Sequence, residues 1–433
     1  MPYARGVIAL SGLPPGPPPE YRIRGGYLDG IVELQRRYGD VFTLQFGRRR
    51  HFVLCHSDLA YEVLVKESAS FVKLGSFGAR SGLQAVLGSG LLTNPDFDSW
   101  FSQRKLLLPL FKEGYVATLA GLIAEAGLRL RRRWSRLPRG AQIDIVKEMM
   151  RVSQEIIYRS IFSLSPEEAL RHPISVPLSL ATASAAEVRR VRGELEHVVL
   201  KLIARRQAEH RRGEPLRGDL LDLMMTARHS ETGEVMALTQ LLDEILTLFS
   251  AGHETTASVL VWCCWLLACH PEVAERLTAA IGSRDGTDLY SAMGEIPFLE
   301  AVIDETLRLF PAIPTIPRVA TRESLLGGYS LPQGARVLVS IYAIGRHPEL
   351  WTDAERFIPG RFLDRRFRAG FMPFGLGQRY CIGRNLALVQ ARLLLAILIP
   401  HFVLKPVSGT VPDKKVAVSL LPKSDLRLRL WQR

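Results

Sequence analysis

Phe371-Met372-Pro373-Phe374-Gly375-Leu376-Gly377-Gln378-Arg379-Tyr380-Cys381-Ile382-Gly383 is the stretch whose reading decides the fold. One cysteine sits in a glycine-rich loop that opens on aromatics, and an apolar helical run, Leu386 to Leu398, follows at once. Backbone N–H groups near a helix N-terminus favour negative charge, so the thiolate form of Cys381 is expected to be stabilised there. Such a thiolate is either a nucleophile or a soft metal ligand. Gly375, Gly377 and Gly383 let backbone approach a large flat object, and Arg379 can pair with an acidic group two residues before the sulfur.

Phe374, Gly377, Arg379, Cys381 and Gly383 together resemble the haem-binding loop of cytochrome P450 monooxygenases, and every fixed position of that pattern is met. The resemblance implies a mainly α fold with small β-sheets. In that fold haem b (iron protoporphyrin IX) lies between a long central helix and the cysteine-containing loop and helix. Cys381 would be the iron ligand, with Phe374, Arg379 and Gly383 among the cofactor-binding residues. Because the motifs run from about residue 100 to 383 and serve one site, the whole of 1–433 reads as a single haem domain. Its residues 1–19 form an extended, proline-rich N-terminal segment, with Pro14, Pro15, Pro17, Pro18 and Pro19 in a cluster.

Leu238 to Ala268 is the longest helical candidate, and ~30 residues at a rise of 1.5 Å span roughly 45 Å. Its middle reads Ala251-Gly252-His253-Glu254-Thr255-Thr256. A glycine, an acid and two hydroxyls are costly in an apolar helix unless they do something. The pattern resembles the family's oxygen-binding helix. Ala251 and Gly252 would leave room over the cofactor, and Glu254 and Thr255 would manage protons, supported by Thr256. The zinc-protease pattern H-E-x-x-H fails, because Ala257 stands where histidine is required. Cys263, Cys264 and Cys269 on the same helix read as core packing.

Trp100 and Arg104, one helical turn apart, resemble the family's WxxxR pair that reaches a haem propionate. Glu305 and Arg308 can pair at i, i+3, and with Arg361 in Phe357-Ile358-Pro359-Gly360-Arg361-Phe362 they resemble the family's structural ExxR triad. Arg318 matches the strand arginine that contacts a propionate. Gly345-Arg346-His347-Pro348 departs from the family, which often has histidine before the arginine. The loose segment Gly75 to Gly90 reads as a lid or binding loop. Phe77, Leu87, Ile313 and Thr315 are the candidate substrate-pocket residues.

Among other elements, Leu28 to Tyr38 and Leu59 to Lys66 have helical spacing. Val41–Phe46 and His51–Cys55 read as a β-hairpin around Gly47-Arg48-Arg49-Arg50. Residues 115–165 and 187–212 are strongly helical in composition. Pro311 to Val319 and Val337 to Ile341 read as strands.

Formal net charge is +13, which suits an anionic membrane or an acidic protein partner; no aromatic-and-basic nucleic-acid motif is present. Arg131-Arg132-Arg133 and Arg205-Arg206 read as solvated helix faces. Five cysteines without framework spacing argue for a reducing compartment. Residues 1–12 hold neither a signal peptide nor a transmembrane anchor. The chain thus reads as cytoplasmic, bacterial in type and monomeric, with peripheral membrane contact left open.

The function implied is a haem-thiolate monooxygenase. It would hydroxylate a hydrophobic small molecule (terpenoid, carotenoid or fatty-acid-like) with O2. No flavin or nicotinamide motif is attached, so electrons would come from a separate ferredoxin- or flavodoxin-like donor with its reductase. The alternatives are a peroxide-dependent haem-thiolate peroxygenase and a non-enzymatic haem-thiolate sensor or binding protein.

Overall fold

The computed structural model describes residues 12–23, 26–46, 49–73, 82–171, 184–229, 232–282, 290–291, 293–364, 369–409, 411–416 and 418–433. Phe77 and the rest of 75–81 in the Gly75–Gly90 loop lie outside the described residues. The described part of that loop contains a short helix, Gly82–Leu87, where a structureless segment was expected. The chain divides into two compact units. The first comprises Met1–Ala79, Asp304–Cys381 and Asp413–Val416; the second comprises Arg80–Ile303, Ile382–Pro412 and Ala417–Arg433.

The first unit is built on a five-stranded sheet ordered Val41–Phe46, Arg49–Leu54, Arg336–Ser340, Thr315–Ala320 and Phe71–Val72. The expected hairpin is present, with Val41 opposite Leu54 and Phe46 opposite Arg49. Arg49–Leu54 runs parallel to Arg336–Ser340, and Phe71 pairs with Ala320 at the far edge. Phe52, Leu54, Val63, Leu64, Val337, Val339 and Ile344 fill the core under this sheet. The helix over Tyr27–Tyr38 follows the predicted spacing, and the Leu59–Lys66 prediction resolves into an α-helix, Ser57–Tyr61, continued by a π-turn to Lys66.

The second unit is helical. Its axis is Leu238–Cys269, a 32-residue helix buried along nearly all of its length, which is why it is apolar all round rather than striped. It packs on Ile145–Phe162, with the Tyr158 and Phe249 rings 4.7 Å apart. Asp144 caps that neighbour by accepting from the Val146 N–H at 3.1 Å. The 115–165 stretch is not uniformly helical: Ala141–Asp144 is a strand. It follows a turn at Gly140 (φ +77°) and pairs with the C-terminal strand Arg427–Gln432, which also pairs with Phe402–Pro406. Trp262 Nε1 and Ser258 Oγ both donate to the Leu420 carbonyl, fastening the long helix to the chain's C-terminal end.

Two packing expectations fail. Arg206 is not solvated but buried, its guanidinium held by Asp219 and Asp222 at 2.8 and 2.5 Å. Those acids come from a neighbouring helix start that composition alone does not place. Cys263 and Cys264 are buried as expected, but Cys269 ends the helix in an exposed position.

Candidate active site

In the first unit, the cysteine loop is closed by its own backbone. The Cys381 N–H donates to the Phe374 carbonyl at 3.0 Å, and the Tyr380 N–H to that of Gly377 at 3.1 Å. Gly375 and Gly377 have φ of +76° and +70°, a region where L side chains are strained. A Cβ on Gly377 would also stand 2.1 Å from the Leu64 carbonyl oxygen, so no other residue fits there. Cys381 itself is exposed.

Also in the first unit, Glu305, Arg308 and Arg361 are brought together. Arg308 Nε and Nη2 donate to the Glu305 carboxylate at 2.7 and 2.8 Å, and Arg361 Nε donates to it at 3.0 Å. The Ile358 N–H adds a fourth bond at 2.7 Å. Arg308 also donates to the carbonyls of Gly345, Ala354 and Arg356. Both members of the central pair are fully buried. One carboxylate thereby gathers the 345–361 meander that precedes the cysteine loop.

Arg318 and Arg379 also belong to this unit, and they are joined by Lys73, which sequence reading did not select. Burial, together with the Arg379 and Arg318 charges, pushes the Lys73 ammonium down to about 7. Burial alone lowers Arg318 to about 10. Cationic side chains gathered in one place suit an anionic group, and the two propionates of haem are such a group. The donor set therefore fits the group: a cysteine sulfur, a glycine-lined backbone and a cationic cluster. Lys73 had no signal in the string. It follows the edge strand Phe71–Val72, and its place depends on pairing with Val319–Ala320.

In the second unit, Trp100 is buried in the helix Phe97–Leu107, and the Arg104 guanidinium lies 5.6 Å from its ring centroid. That contact holds Arg104 to its own helix face. Gly383 caps the helix Arg384–Leu398, and a Cβ there would meet open space, leaving room for a flat group.

The long helix carries the most informative pattern. It is buried around its middle except for Leu248, Ala251, Gly252 and Thr255, which are half-buried. Their i, i+3, i+4, i+7 spacing makes a single uncovered stripe. Thr255 Oγ1 donates to the Ala251 carbonyl at 2.6 Å, so its lone pairs are left to accept a proton donor. Thr256 Oγ1 donates to Gly252 at 3.0 Å. Glu254 is buried, and Ser419 Oγ donates to its Oε1. Gly252 has a packing reason beside the expected one: a Cβ there would stand 2.8 Å from Ile157 Cδ1. His253 donates from Nδ1 to the Phe249 carbonyl, and burial holds its pKa down.

Nearly three turns before Glu254, Glu244 is also buried. Its Oε2 accepts from the Leu91 N–H at 2.9 Å, while Oε1 has no partner among the described residues. Burial raises its pKa to about 8, against the Leu91 hydrogen bond and with help from the Asp243 charge. Of the candidate pocket residues, Leu87 is fully buried in the second unit, and Ile313 and Thr315 are half-buried in the first.

A family model described as Cytochrome P450 matches residues 19–169 and 169–428. The chain belongs to the cytochrome P450 family. Its cofactor is haem, and it is a P450 monooxygenase. A cyclooctat-9-en-7-ol 5-monooxygenase from Streptomyces melanosporofaciens is 30% identical, covering 86% of this chain and 84% of its own. A cytokinin hydroxylase from Arabidopsis thaliana is 31% identical, covering 88% and 79%. The crystal structure of the cytochrome P450DA heme domain superposes with a TM-score of 0.86 at 26% identity, covering 98% of each chain. The mostly helical P450 fold with small sheets is thus the one observed.

Proposed function

We propose that this P450 hydroxylates a hydrophobic small molecule with O2, drawing electrons from a separate ferredoxin- or flavodoxin-like donor and its reductase. Cys381 is the proposed iron ligand. Lys73, Arg104, Arg318 and Arg379 are the proposed propionate partners, and residues 1–433 are proposed to be a single haem domain. Thiolate-bound haem supplies the oxidant that inserts oxygen into an unactivated C–H bond.

The observation that carries this reading is the uncovered stripe on the long helix, with Thr255 at its end and Glu254 beside it. The stripe is apolar apart from one hydroxyl, so it suits a substrate of the same character. With its own proton committed to Ala251, the Thr255 hydroxyl is left to accept a hydrogen bond from a water. Glu254, which accepts from Ser419, is the proposed group that exchanges protons with that water. Peroxide-only chemistry has no need of such a pair. The relatives' names favour compounds of terpenoid or isoprenoid character, without fixing one. A cytoplasmic monomer is the proposed working state. Among the described residues no single helix is long and apolar enough to cross a membrane.

The test is reconstitution of the purified holoprotein with a ferredoxin, its reductase and a panel of diterpenes, while substrate binding is read from the ferric haem spin state. Product formation that requires O2 and the electron donor supports the proposal. Equal turnover with hydrogen peroxide alone would place the protein among peroxygenases instead.

A further inference from the structure

Glu244 and Thr247 are two polar side chains of the long helix that the proposed oxygen chemistry does not use. They are 0% and 2% exposed. Glu244 Oε1 and Thr247 Oγ1 are both buried with no hydrogen-bond partner among the described residues. Their neighbours on the same helix behave otherwise. Asp243 has both oxygens occupied, accepting from Arg192 Nη2 at 2.9 Å and from the Ser89 N–H at 2.8 Å. Thr255 and Thr256 each donate to the carbonyl one turn back. That carbonyl is the usual partner of a helical hydroxyl, and Thr247 does not take it. A buried polar atom without a partner is costly, and two of them one turn apart point to a ligand.

Residues three apart are neighbours on a helix surface. Glu244 stands one turn before Leu248, and Thr247 one turn before Ala251, so the pair borders the uncovered stripe. The backbone of 88–91 lies against the pair: the Leu91 N–H donates to Glu244 Oε2, and a Cβ on Gly90 would stand 2.2 Å from Thr247 Oγ1. All of these residues belong to the second unit. Burial pushes the Glu244 pKa to about 8, so its carboxyl keeps a proton at neutral pH. Oε2 accepts from Leu91, which leaves Oε1 to donate, and Thr247 Oγ1 can accept. A donor and an acceptor side by side match an alcohol, whose oxygen takes the first hydrogen bond and whose proton makes the second. At a rise of 1.5 Å per residue the pair stands ~12–16 Å along the helix axis from Thr255. We propose that Glu244 and Thr247 form a polar subsite that holds a hydroxyl group already present on the substrate, at the end of the skeleton away from the carbon to be oxidised. The substrate is then an apolar molecule with one oxygen function, and the pair sets specificity without touching the reacting atoms. This inference rests on the hydroxylase reading above and narrows its substrate class.

The experiment titrates the ferric holoprotein with matched pairs of diterpenes, a hydrocarbon and the terminal alcohol of the same skeleton, and reads the haem spin state. The alcohol is expected to bind ~10–100-fold more tightly, because the hydrocarbon leaves a buried donor and acceptor unpaired. Glu244→Leu and Thr247→Val should each remove most of that preference, chiefly by strengthening hydrocarbon binding. Glu244→Gln, which keeps a donor beside an acceptor, should retain it. Stability gives a second measure that needs no ligand. Thr247 Oγ1 has no partner among the described residues, so Thr247→Val should leave the urea midpoint unchanged or raise it. Equal affinity for both members of every pair in the wild type would overturn the subsite and leave the hydroxylase reading standing. So would a preference that survives Thr247→Val, or a fall in the urea midpoint of that variant, which would show its hydroxyl tied into the protein through water. Binding of neither member of any pair would overturn both readings.

Discussion

Glu305→Ala is expected to be among the most destabilising single changes in the chain. The carboxylate is fully buried and accepts from Arg308 Nε, Arg308 Nη2, Arg361 Nε and the Ile358 N–H, all within 3.0 Å. Removing it strands a buried guanidinium, which costs about 3–5 kcal/mol. The carbonyls of Gly345, Ala354 and Arg356 still accept from Arg308, so the lower half of that range is the better expectation. Arg361→Ala leaves Glu305 bound to Arg308 and should cost less, roughly 1.5–3 kcal/mol. Because both changes remove the same bond, the double variant should fall short of additivity by ~0.5–3 kcal/mol. Urea unfolding of the holoproteins by far-UV circular dichroism measures all three. Should Glu305→Ala prove too unstable to purify, Glu305→Gln keeps one acceptor oxygen and should rank between wild type and alanine. A cost below about 1 kcal/mol for Glu305→Ala, or strict additivity, would refute the reasoning.

Gly377→Ala should loosen the cysteine loop, since it adds ~1–2 kcal/mol of left-handed strain to a clash with the Leu64 carbonyl. Faster haem transfer to apomyoglobin is the readout, and a wild-type rate would count against it. Thr255→Ala should lower product formed per electron consumed by roughly 10²-fold and raise peroxide release, while Thr255→Ser keeps coupling. Coupling unchanged in the alanine variant would remove Thr255 from proton handling. Glu244 makes stability fall with rising pH. Its folded-state pKa of about 8 lies above the ordinary carboxyl value, so the folded protein holds a proton that the unfolded chain releases. The contribution is whole below the unfolded value and is lost as pH rises through about 8. Glu244→Gln should therefore flatten the dependence of the urea midpoint on pH and win at pH 9; parallel curves would contradict this.

What the string revealed was whatever chemistry confines to a few neighbouring residues. Cys381 with its glycines, Glu305 with Arg308, and Glu254 with Thr255 are each legible because the residues that act together are adjacent or one helical turn apart. The long helix was legible because apolar residues dominate most of its length, and so long a stretch has few other solutions. The misses share the opposite cause. Lys73 gains its setting from a strand pair that joins residues 71–72 to 319–320. The strand Ala141–Asp144 lies between two helices of similar composition and exists because Arg427–Gln432 pairs with it. Arg206 looked solvated until Asp219 and Asp222 folded onto it. Gly252 was read for the space it leaves, and its contact with Ile157 shows a second demand on the same missing methyl group.

The central claim is sulfur ligation of haem iron by Cys381, and the carbon monoxide difference spectrum of the reduced holoprotein tests it most directly. The account predicts the strongly red-shifted Soret band of thiolate coordination in the wild type and its loss in Cys381→Ala. A reduced carbonyl complex with the Soret position of histidine-ligated haem, or an unshifted spectrum in Cys381→Ala relative to wild type, would contradict it.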